Sequence, residues 1–180
     1  MGQVKPAEPA KLIVGALSAF PEAWAAARAR LVERYGPIDL EAGPLDFHFT
    51  NYYAEEMGAG LRRWFAAFAR LVAQEELSAV KAETNRLEAE LVSPDWPVAR
   101  AVNLDPGYLV PGKLVLATTK DQAHRLCIGG GLFAEVTLRY SGGRFVANEW
   151  TYPDYRSEPY HQFFTRVREA LRAQLRAGPS

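Results

Sequence analysis

The chain is poor in the residues that build cross-links and metal clusters. It has one cysteine, Cys127, in 180 residues. A lone thiol forms no intramolecular disulfide and no thiolate cluster, which fits a reducing cytoplasm. It has three histidines, His48, His124 and His161. No two of them share metal-ligand spacing, so histidines alone build no zinc site. Charge of one sign is lacking too: Lys plus Arg and Asp plus Glu each number 21. A neutral chain has no global pull toward nucleic acid or anionic lipid. No apolar run approaches the roughly 20 residues of a membrane span. The opening MGQVKPAEPAK has no apolar signal core. Pro6 occupies the Ser/Thr position of a myristoylation pattern that starts at Gly2.

Several motifs are also missing. There is no G-x-S-x-G elbow and no RNP1 string. His48-Phe49-Thr50 resembles half of a two-histidine phosphoesterase pattern, but no second copy exists. A phosphate loop needs G-x-x-x-x-G-K-[ST]. Gly107 to Lys113 comes closest, yet Leu114 stands where the magnesium-binding hydroxyl belongs, and Pro106 precedes the run. No repeats, low-complexity tracts or linkers divide the chain, so one domain is expected over residues 11–176, after a flexible tail over 1–10.

What is present spells an α+β domain. Lys11 to Ala19 reads as a buried first strand. Pro21 opens a helix with Trp24, Ala27, Leu31 and Tyr35 on one face, and Gly36-Pro37 stops it. Ile38 to Pro44 reads as a loop. Asp46 to Thr50 alternates and reads as a second strand. A connection over 51–60 leads to a third strand, Leu61 to Leu71. Gln74 to Leu91 repeats Leu77, Val80, Leu87 and Leu91 at helical spacing, with Pro94 just beyond. Arg100 to Asp105 reads as a fourth strand. The order βαββαβ predicts a ferredoxin-like core with two helices on one face of an antiparallel sheet. An antiparallel meander follows: Lys113 to Thr119, Arg125 to Ile128, Leu132 to Tyr140 and Arg144 to Thr151, with turns at Gly129–Gly131 and Ser141–Gly143. Ser157 suits the N-cap of a C-terminal helix that presents Tyr160, Phe163, Phe164, Val167 and Leu171.

The strings GPIDLEAGPLDFHFTNYYAEEMG, NLDPGYL, KLVLATTKDQAHR, GGGLFAEVTLRY and EWTYPDYR resemble a bacterial family built on a domain of unknown function. The resemblance runs from about Lys11 to Leu171. Some members bear the name GTP-binding protein, which implies nucleotide or phosphate affinity. The family pattern places an acidic residue where His48 stands, so His48 departs from it.

Candidate site residues gather between Arg100 and Arg156. Thr118, Thr119, Lys120, His124 and Arg125 could grip a phosphate, with Lys120 as point charge, Arg125 as fork and Lys113 nearby. The plainer reading is an exposed turn with solvated cations. Asp105, Glu135 and Glu149 could hold a divalent cation such as Mg or serve, with His124, in acid–base chemistry. The plainer reading is the wet face of an antiparallel sheet, with Glu135 and Arg139 as exposed partners. Cys127 reads as a packed core thiol. Trp150, Tyr152, Tyr155 and Tyr160 either stack on a base or close the core.

Three functions stay open at this point: a cytoplasmic enzyme acting on a phosphorylated or nucleotide-like ligand, a non-catalytic module binding such a ligand or a partner, and a structural protein. Nucleic acid and membrane are not expected partners.

Overall fold

The computed structural model describes residues 2–50, 53–93 and 96–178. Pro94 and part of the 51–60 connection lie outside the described residues. Among the described residues eight strands form one sheet: β1 (Ala10–Ser18), β2 (Ile38–Asp46), β3 (Arg62–Val72), β4 (Asn103–Val110), β5 (Lys113–Thr118), β6 (Leu126–Gly129), β7 (Leu132–Ser141) and β8 (Arg144–Ala147). The order is β2-β3-β1-β4-β5-β7-β6, with β8 also on β7, and every neighbouring pair is antiparallel. The helices are α1 (Pro21–Tyr35), the short α2 (Ala54–Met57), α3 (Leu77–Glu90) and α4 (Glu158–Ala177).

Strand alternation gives the sheet two apolar faces. On β1 and β3, Leu12, Val14, Ala16, Trp64, Ala66 and Phe68 pack with Trp24, Ala27 and Leu31 of α1 and with Val80 and Leu87 of α3. The residues between them, Ile13, Phe65 and Ala67, pack against α4. Tyr160, Phe163, Phe164, Val167 and Leu171 are all at most 2% exposed, the face that the spacing predicts. Burying each large side chain is worth roughly 1.5–3 kcal/mol, so α4 is held by its stripe rather than by its cap. Ser157 occupies the N-cap, but its hydroxyl makes no capping bond.

Three sequence expectations need correction. The second strand is not Asp46 to Thr50 but Ile38–Asp46, which reads as a loop because it carries Gly43 and Pro44. It lies at the sheet edge, where proline removes no shared ladder bond. Ile38, Leu40 and Ala42 alternate half-buried with exposed Asp39 and Glu41. Gly43 is needed because a Cβ there would lie 2.6 Å from the Arg63 carbonyl oxygen. The fourth strand starts later and runs on through Pro106 and Gly107 to Val110. Cys127 is not a core thiol; it is exposed, because β6 is a four-residue edge strand paired on one side only.

One departure from a regular sheet shapes the rest of the molecule. The β4–β5 ladder joins only Gly107–Val110 to Lys113–Leu116. Beyond it β4 stays with β1 as far as Asn103, and β5 stays with β7 as far as Thr118. The two strands therefore part company, and a wedge opens between them.

Candidate functional site: a pocket in the parted sheet

The wedge is the mouth of a pocket of about 600 Å³. Asn103 and Asp105 line it from β4, and Leu116, Ala117 and Thr118 from β5. Lys81 and Asn85 reach it from α3, Arg63 from β3, and Tyr152 and Asp154 from the segment before α4. Phe47, Phe49 and Tyr53 supply an aromatic wall.

The wedge leaves backbone groups of β4 without a neighbouring strand, and α3 satisfies them. Lys81 Nζ donates to the Leu104 carbonyl oxygen at 2.8 Å, and the Leu104 N–H donates to Glu88 Oε1 at 2.7 Å. Lys81 and Glu88 are two helical turns apart and so share one face of α3. Residues two apart along a strand present their backbone to the same edge, so the missing N–H of Pro106 falls on this unpaired edge. Burial lifts the Glu88 carboxyl above its ordinary range, against the pull of Lys81 and Arg100. Arg100 donates to Glu88 Oε2 at 2.6 Å and to the Asn103 side-chain oxygen.

The pocket floor is an ionic cluster around Arg63, which is 4% exposed. Its Nη1 donates to Asp105 at 2.8 Å and its Nη2 to Asp154 at 3.1 Å. Its guanidinium carbon lies 5.4 Å from the centre of the Phe47 ring. The two acids respond in opposite directions. Burial pushes the Asp105 carboxyl up, but Arg63, helped by Lys81, outweighs burial and holds it below the usual range. For Asp154 burial prevails over Arg63 and the carboxyl is raised. Burial pushes the Tyr53 phenol up to about 12.

A second cluster stands behind Glu135. Its Oε2 accepts from Arg125 Nε at 2.8 Å and lies 3.0 Å from His124 Nε2. Thr137 donates to Oε1 at 3.2 Å. Arg125 also donates to the Lys120 carbonyl oxygen and to the Tyr152 hydroxyl, at 2.9 and 2.6 Å. The His124 ring stacks on Trp150 with centres 5.2 Å apart.

The expected site residues thus divide. Asp105, Glu135, Thr118, Thr119 and Lys120 do line one pocket. Glu135 is 4% exposed, which corrects the wet-face reading, because it shares the inner face with Leu116, its partner on β5. Arg139 is exposed. His124 and Arg125 reach the pocket through Glu135 rather than lining it. Arg125 is buried with its fork already engaged by three protein acceptors, so it acts as a brace for the 120–125 loop. Glu149 is a correction: β8 ends at Ala147, and Glu149 is exposed away from the pocket. Lys113 is another, since it begins β5 while Thr118 ends it, about 17 Å off by strand rise. Tyr155 and Tyr160 belong to the core, while Trp150 and Tyr152 are exposed. Gly107 to Lys113 is the β4–β5 hairpin, not a phosphate loop. Gly107 is there because a Cβ would lie 2.2 Å from the Val115 carbonyl oxygen. Among the described residues no cluster of three His, Cys, Asp or Glu side chains is arranged to hold a metal.

Sequence reasoning missed Arg63, Lys81, Arg100, Asn103 and Asp154. One signal was available for Arg63: it interrupts the otherwise apolar alternation of β3. The others look like ordinary surface polar residues until the wedge gathers them.

A family model described as Domain of unknown function (DUF4416) matches residues 8–171, and the chain belongs to that family. No curated protein and no solved structure matches it. No helix among the described residues is long and apolar enough to cross a membrane.

Proposed function

We propose that this chain is a cytoplasmic bacterial enzyme acting on a phosphorylated or nucleotide-like small molecule held in the wedge between β4 and β5. The supporting observation is convergence. One pocket brings together an ionised carboxylate at Asp105, hydroxyls at Thr118 and Thr119, the Lys120 ammonium and an aromatic wall. Its volume suits a small ligand. Phe47, Phe49 and Tyr53 offer stacking faces to a base or sugar. Asp105 stays ionised at neutral pH, which suits a ligand hydroxyl or a magnesium ion that arrives with the ligand's phosphates. Glu135 would orient the 120–125 loop through Arg125. GTP is one member of this ligand class.

A non-catalytic binding module is the alternative, and two observations favour it. Both oxygens of Glu135 are occupied. Asp105, with its lowered affinity for protons, is a weak base. A structural role without a ligand is the remaining reading.

The core β1-α1-β2-β3-α3-β4 is proposed as ferredoxin-like. In support, its strands run in the order β2-β3-β1-β4, all antiparallel, with α1 and α3 packed on one face.

The test is a thermal-shift screen with nucleotides and sugar phosphates, with and without Mg2+, followed by turnover assays on whichever ligands stabilise. A saturable shift weakened in Thr118→Val and Lys120→Ala supports the pocket reading. Product formation lost in Asp105→Asn distinguishes enzyme from binder. No shift with any compound sinks both and leaves the structural role.

A further inference from the structure

We propose that the α3 side of this pocket is a dedicated oxyanion subsite, in which Lys81 Nζ and Asn103 Nδ2 donate to a phosphate or carboxylate of the ligand. The inference rests on the pocket reading above and names which end of the ligand enters first.

Lys81 is the first ground. It is 5% exposed and lines the pocket from α3. Its ammonium has three donors. Among the described residues its hydrogen-bond partner is one carbonyl, that of Leu104, and no carboxylate pairs with it. A buried charge is ordinarily matched by a counter-charge. The nearby acids are already taken: Glu88 by Arg100 and the Leu104 N–H, Asp105 by Arg63.

Asn103 is the second and independent ground. It is 4% exposed, and its Nδ2 is buried without a hydrogen-bond partner. The orientation of the amide is set from the other side, because Arg100 donates to its oxygen. The NH2 is thereby left over. It leans toward Asp105 and helps to keep that carboxylate ionised, but among the described residues it forms no hydrogen bond of regular geometry. An orphaned buried donor is destabilising unless something accepts from it.

Both residues line the pocket at the start of β4, where Lys81 binds the carbonyl of Leu104, the residue after Asn103. Asn85, one turn beyond Lys81 on α3, lines the same wall. An anion arriving here receives hydrogen bonds from a positive and a neutral donor, both already desolvated. Hydrogen bonds of this charge-assisted kind are stronger than neutral ones. Lys120 and the two threonines lie across the wedge on β5 and beyond, so they face the other part of the ligand.

The test is calorimetric titration of the full chain with inorganic phosphate and, separately, with malonate. One saturable site is expected for at least one of them, and the stronger binder tells phosphate from carboxylate. Asn103→Asp keeps the shape and the acceptor for Arg100 but replaces the donor with a negative charge. It is expected to weaken binding about ten- to hundredfold. Lys81→Gln is expected to do the same, with circular dichroism checking the fold; if Lys81→Gln unfolds, Asn103→Asp alone decides. Unchanged affinity in a folded Asn103→Asp overturns the subsite. So does the lack of any binding of either anion to the unsubstituted chain. If nucleotides still stabilise Asn103→Asp and Thr118→Val abolishes that effect, the subsite is wrong and the pocket reading stands. Loss of every ligand response in the unsubstituted chain removes both.

Discussion

Arg125 Nε and Glu135 Oε2 lie 2.8 Å apart, and each side chain is 2% exposed. This pair joins the 120–125 loop to β7 away from water. Taking one partner away strands the other charge, which costs about 3–5 kcal/mol in buried pairs. Arg125→Leu should therefore lower stability by that order in urea unfolding. Glu135→Gln, which keeps an acceptor for Arg125, should lose less. The double variant Arg125→Leu, Glu135→Leu should lose less than the sum of its single changes, because neither charge is then left alone. A double variant that loses the full sum of its single changes would deny the coupling.

Gly107 offers a purely steric prediction. Any Cβ there would press on the Val115 carbonyl oxygen at 2.2 Å and on Leu116 at 2.6 Å. Backbone cannot step aside as a flexible side chain can. Gly107→Ala should destabilise by about 1–3 kcal/mol or more, as overpacking does. The measurement is the shift of the urea midpoint at constant slope. Gly112, in the same hairpin, has nothing within 4 Å of a Cβ and serves as the comparison. A Gly112→Ala variant should change stability much less than Gly107→Ala.

Acid stability should depend on Asp105. Its carboxyl is held below the ordinary value in the folded protein, so the folded state binds fewer protons than the unfolded chain. The stabilisation is complete above the unfolded pKa of about 3.9 and is lost as pH falls through the folded value. The wild-type unfolding free energy should drop across that window. In Asp105→Asn the drop should be shallower. Asp154 has the opposite sign, since its raised carboxyl favours the protonated form. Asp154→Asn should remove a contribution that weakens as pH rises from about 4. Identical acid limbs in wild type and Asp105→Asn would refute the assignment.

Much of the scaffold was legible in the residues. Pro21 and the Trp24, Ala27, Leu31, Tyr35 stripe specify α1, and the aromatic stripe from Tyr160 to Leu171 specifies α4. Glycine pairs and triplets mark the turns around β7. β2 was hidden because an edge strand needs only one paired side and so admits Gly43 and Pro44. Cys127 misled because an apolar string reads as a packed strand, whereas β6 lies at the sheet edge. Of the site, the 118–120 segment and Asp105 could be picked out by their polarity next to strand ends, and Glu135 by its place in an alternating strand. Lys81, Arg100 and Asn103 could not. A lysine on a helix and an arginine before a strand carry no local mark of burial; only the parting of β4 from β5 encloses them. Glu149 was misplaced by running β8 four residues too far.

The side chains that α3 lays against β4 also affect how molecules meet one another. A strand with open N–H and C=O groups invites pairing by another chain. At Leu104 both groups are already claimed, one by Glu88 and one by Lys81. Pro106 offers no donor on that same edge. An intruding strand would have to displace two charged side chains and would find a gap in its ladder two residues later. The cleft can therefore stay wide enough to admit a small molecule without becoming a template for self-association.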